Sequence, residues 1–127
     1  METTESILTS TKKMLGIDAG YTHFDADIIM HINSVFSILT QMGVGPANGF
    51  SITGESEQWS DFIPDCSDSF SFVKSYMNLK VRLLFDPPLS SAVIESINRQ
   101  ISEFEWRLFV AADPVDETSG KEGSQNG

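Results

Sequence analysis

Residues 90–110 read SSAVIESINRQISEFEWRLFV, and their spacing decides the fold class. Ile94, Ile97, Ile101, Phe104 and Leu108 step by three, four, three and four, a heptad seam that only a helix lays along one side. Glu95, Arg99, Glu103 and Arg107 follow one another four apart in alternating sign, the pattern of a solvated helix flank. Trp106 and Phe109 lie off the seam. They either present aromatic surface to a partner or cover a second side of a small core.

Working back along the chain, a helix is expected over about residues 67–85, with Phe70, Val73, Met77, Val81 and Leu84 on one side. Asp86-Pro87-Pro88 stops it, because proline lacks the amide donor and restricts the residue before it. A second stripe, Phe24, Ile28, Ile32, Val35, Phe36, Leu39 and Met42, predicts a helix over about residues 23–42, ended by Gly43 and Gly45-Pro46. A weaker one is expected near residues 4–15 on Ile7, Leu8, Met14 and Leu15, with Gly16 as its stop. Residues 43–66 form a long connection in which EQWSDFI can make one helical turn. Residues 49–53 offer a weak strand. The expectation is an all-α domain over residues 1–111, a small bundle of about four helices, followed by a disordered acidic tail over residues 112–127.

With 127 residues, 40% hydrophobic and 20% charged, the chain suits one globular domain with a modest core. No stretch approaches the roughly 20 apolar residues of a membrane span, and the first residues have no apolar signal region. The single cysteine, Cys66, has no internal partner for a disulfide. Net charge is −10 and the pI about 4.4, which argues against gripping a nucleic-acid backbone. No Lys or Arg occurs between Lys13 and Lys74, so the first half is acidic and the second more basic.

THFDADIIMH, residues 22–31, sets His23, Asp27 and His31 at four-residue intervals and so raises a metal site. Three such positions span about 12 Å of helix axis, too far for one ion. No third histidine exists, and a zinc or iron site needs three or four converging ligands. The segment reads instead as a helix start: Thr22 as N-cap, Asp25 as the third-residue carboxylate, Tyr21 before the cap, and Asp27 pairing with His31 one turn on. No nucleotide-binding loop or activated thiol motif is present, and no cofactor is implied. An enzyme is the weaker reading.

Three strings carry a resemblance: MLGIDAGYTHFDADIIMHINSVFSILTQMGVGP (residues 14–46), the later W-x-x-F, and KSYMNLKVRLLFDPPLSSAVIESINRQISEFEWRL (residues 74–108). Together they resemble the head–tail connector (adaptor) proteins of long-tailed bacteriophages of Gram-positive hosts. The resemblance implies a virion protein made in the host cytoplasm, whose copies, usually twelve, form a ring under the portal protein. Such a ring extends the DNA channel and docks the stopper or tail-completion protein. It further implies that the last helix and tail face the portal, with Trp106, Phe109, Val110, Asp113 and Val115 as contacts. The loop of residues 49–63, with Phe50, Ile52, Trp59 and Phe62, and the charges Arg99 and Arg107, would then meet neighbouring subunits or the next ring. An assembly factor that never enters the particle and an acidic DNA mimic are the other readings.

Overall fold

A computed structural model describes residues 5–64, 67 and 69–112. Five helices follow in order: α1 (Ile7–Met14), α2 (Asp25–Gln41), α3 (Trp59–Phe62), α4 (Phe70–Phe85) and α5 (Ser91–Ala112). Among the described residues no strand forms, so 49–53 is extended chain. The expected tail, with Asp113 and Val115, and Cys66 lie outside the described residues.

Helix α4 is the hub. It packs on α5, on α2 and on α1, while α5 packs mainly on α4 and leaves its far side bare. The α2 stripe is buried as its spacing requires, with Ile28, Ile32, Val35, Phe36 and Leu39 in the core. In α5 the seam residues Ile97, Ile101 and Leu108 are buried, and Ile94 and Phe104 are half-buried at its edges. In α4 the buried set is Val73, Tyr76, Met77 and Val81. Leu84, expected inside, is half exposed.

Tyr76 ties α4 to α5 by donating its hydroxyl proton to Glu105 Oε2 at 2.8 Å. Burial, then the hydrogen bond and negative charge of Glu105, push the phenol well above its usual range. The unfolded chain ionises this group near pH ~10, whereas the fold keeps the proton to higher pH. The contribution is therefore whole below pH ~10 and is lost as pH rises through the folded pKa. Tyr76→Phe removes this pH dependence. Its stability deficit relative to the parent should narrow above pH ~10, measured as urea midpoints by circular dichroism. Parallel curves through that range would refute the assignment.

The long connection is pinned at both ends. Asn33 on α2 donates to the Ile52 carbonyl at 2.9 Å and accepts from the Ile52 amide at 2.7 Å, so one side chain pairs with the loop as a neighbouring strand would. The Ile7 amide donates to the Glu57 carbonyl at 3.0 Å, and the Trp59 amide to the Glu5 carbonyl at 3.2 Å. Glu57 closes the turn between them by accepting from the Thr53 amide and hydroxyl. Desolvation pushes its carboxyl up, but the bonds from Thr53 and Gly54 together with its own backbone outweigh this and hold it below the ordinary value. Gly45 has φ +87, and a Cβ there would meet the Phe62 ring, 2.6 Å from Cζ. Only glycine lets this backbone lie so close to Phe62.

With the loop pinned in this way, most of its large side chains turn inward. Ile52, Trp59 and Phe62 are buried in the core, and Phe50 packs on Phe36 and Phe62 with ring centroids 5.0 and 5.3 Å apart. A domain this small has little apolar area to bury, so it draws the loop's large side chains inward. Ile52, Trp59 and Phe62 face this chain's own helices.

Candidate interaction surfaces

The start of α2 differs from the sequence reading. Thr22 is not its cap: the helix begins at Asp25 after Phe24, with no side-chain cap bond, and only the Thr22 carbonyl accepts from the Asp25 amide at 3.2 Å. Two stronger demands shape the segment. Phe24 packs edge-on against Phe85 of α4 at 5.3 Å and against His23 at 4.7 Å. Asp25 turns to the ammonium of Lys12, 2.7 Å away, and Lys12 is only 1% exposed. Lys12 also donates to the Ala19 carbonyl at 3.1 Å. The expected Asp27–His31 ion pair does not form; the His31 ring lies 6.4 Å from that of Phe85. Among the described residues no three His, Cys, Asp or Glu side chains come together as a metal site would need.

Two exposed apolar surfaces result from this packing. The first is the bare side of α5. Because the helix packs mainly on α4 through its seam, Trp106 (65% exposed), Phe109 (56%) and Val110 (49%) stand in solvent in its last two turns. Arg99 and Arg107 are exposed on the same helix. Arg107 binds Glu103 through Nε at 3.0 Å and Nη2 at 2.6 Å and lies 5.7 Å from the Phe72 ring centroid. Of the two readings the sequence left open for Trp106 and Phe109, burial on a second side of the core is excluded.

The second surface is a cleft of about 560 Å³ at the other end of α2. Leu15, Ile17, Phe24, Leu84 and Phe85 line it with apolar surface, and Asp27, His31 and Asp86 supply its polar groups. No arrangement of nucleophile, base and oxyanion donors is found there. The sequence reading missed this cleft. Its one signal was LLFD before Pro87-Pro88, an apolar run carried to the very end of a helix, where solvent reaches it. Among the described residues no helix is long and apolar enough to cross a membrane.

Comparison with known proteins adds one finding. A family model described as "Phage connector protein" matches residues 7–115, most of the chain. No curated protein and no solved structure matches it.

Proposed function

Because this chain belongs to the phage connector protein family, we propose that it is an adaptor of the virion neck, a structural and non-enzymatic protein. Its copies, usually twelve in such assemblies, form a ring on the portal protein, extend the DNA channel and give the stopper or tail-completion protein its docking surface. The observation that carries this reading is the Trp106–Phe109–Val110 face of α5, which the described residues leave uncovered. Tryptophan and other aromatic side chains dominate protein interfaces by burying much surface in few rotamers. Asp113 and Val115, outside the described residues, are further candidates for the portal contact. Arg99 and Arg107, exposed on α5, are the charges offered to neighbouring copies. A net charge of −10 supports a conduit that repels DNA and lets it slide through without sequence-specific binding.

The test is to mix the purified protein with its cognate portal ring and image the particles by electron microscopy. Extra ring density at the narrow end of the portal is the expected result. Trp106→Asp and Phe109→Asp should each weaken portal binding about thirtyfold or more while the circular dichroism spectrum is retained, since both side chains are exposed. No binding by the parent chain, together with its absence from purified virions, would refute the adaptor and favour the assembly factor.

A further inference from the structure

The acid-rimmed cleft between the α1–α2 link and the end of α4 contains none of the α5 residues assigned above to the portal, and its chemistry specifies a different occupant. We infer that it docks a basic segment of a second neck protein, a large apolar side chain flanked by Lys or Arg, and that this is where the next protein after the portal attaches. The inference rests on the adaptor reading and names the partner surface that reading leaves open.

Three observations carry it. The cleft floor is apolar, with Leu84 half exposed and Phe24 and Phe85 stacked edge-on behind it, which suits one inserted aliphatic or aromatic side chain. Its rim carries Asp27 and Asp86, and among the described residues neither carboxylate has an ion-pair partner. The nearest guanidinium, that of Arg82, donates to the Asp86 backbone carbonyl at 3.0 Å and leaves the carboxylate free. A cationic segment would find both complementary charge and an apolar socket.

The chain's own C-terminal segment fits poorly. Residues 113–127 carry four acids and one lysine. They start from Ala112, which lies against Gly43 just beyond the far end of α2, whereas the cleft is at its beginning. The 17 residues of α2 separate these ends by about 25 Å, a distance that fifteen residues can span, so it is the like charge and not the reach that disfavours this segment. A second copy also fits poorly: it brings its own charge of −10 to a cleft already rimmed by carboxylates.

The experiment uses the full chain bound to its portal ring, with the tail-completion protein of the same phage as the probe. Asp27→Lys/Asp86→Lys should weaken capture of that protein about tenfold or more and reduce its salt dependence, with portal binding unchanged. Leu84→Glu should also weaken capture, by making the apolar socket polar, while the salt dependence is kept because no rim carboxylate is lost. Both sites are exposed, so the fold is retained, as circular dichroism will check. Capture unaffected by either variant, or no capture by the parent complex, overturns the inference while leaving portal binding, and with it the adaptor reading, intact. A charge reversal that instead changes the sedimentation of the free protein assigns the cleft to a second copy. One that instead exposes residues 113–127 to protease assigns it to this chain's own end. Either result also overturns the inference.

Discussion

Asp25→Asn is expected to lower the unfolding free energy by about 3 kcal/mol, read as a shift of the urea midpoint with unchanged slope. The loss does not come from the strength of the pair in the parent protein. It comes from what is left behind: the Lys12 ammonium is 1% exposed, and without the carboxylate 2.7 Å away its charge has only neutral oxygen acceptors such as the Ala19 carbonyl and no countercharge. Removing one partner of such a pair is strongly destabilising, whereas replacing both with apolar groups of similar volume is often neutral or better. Lys12→Met/Asp25→Leu should therefore recover most or all of the loss. Ala19 is exposed, so water can serve its freed carbonyl. If the double variant were no more stable than Asp25→Asn, burial of an unpaired charge would not be the cause. The pair also explains why α1, only eight residues long, stays docked with a lysine on its inner side.

Trp59→Ala should cost about 3–5 kcal/mol, in the range expected for emptying a large aromatic site in a packed core. Trp59 is 1% exposed, and its ring centroid lies 6.2 Å from that of Phe36. Its indole N–H donates to Ser10 Oγ at 2.8 Å, and Ser10 in turn donates to the Ile7 carbonyl at 3.1 Å. The residue thus fastens α1 to the loop by packing and by a buried polar chain together. Trp59→Phe separates the two effects: it keeps most of the packing and drops the bond, for an expected loss of about 1–2 kcal/mol. Unfolding is followed by far-ultraviolet circular dichroism, because substitution removes the buried one of the two tryptophans and leaves the exposed Trp106 to dominate the fluorescence. Equal losses for Ala and Phe would mean that the bond to Ser10, and not the ring's volume, holds the site.

The helices were legible because their apolar positions repeat at the helical period and their ends are marked by glycine and proline. Ile97, Ile101 and Leu108 took the places their seam required, and the turn at residues 59–62 formed where EQWSDFI allowed it. What failed was local reading at positions where distant residues competed. Thr22 loses its capping role because Phe24 is pulled onto Phe85 and Asp25 onto Lys12, contacts that no four-residue window contains. Trp59 and Phe62 looked like surface aromatics because they sit in a loop. A chain of this length instead fills its core from its loops as well as its helices. Tyr76 escaped notice for the same reason, since a hydroxyl hides a residue whose ring is fully buried. The exposed Trp106 and Phe109 were visible as residues off the seam, but the cleft needed three segments brought together and had no motif of its own.

The bonds joining residues 5–10 to residues 57–59 also set an order of events during synthesis. Ser10 must wait for an indole made 49 residues later. At ordinary elongation rates that interval lasts roughly 2–10 s. Throughout it Ile7 and Leu8, both core residues in the finished fold, have neither the loop nor α4 to cover them. Helix α1 thus leaves the ribosome before the other described helices and is among the last of them to find its place. The nascent chain stays unfinished until α4, the hub of the bundle, has emerged as well.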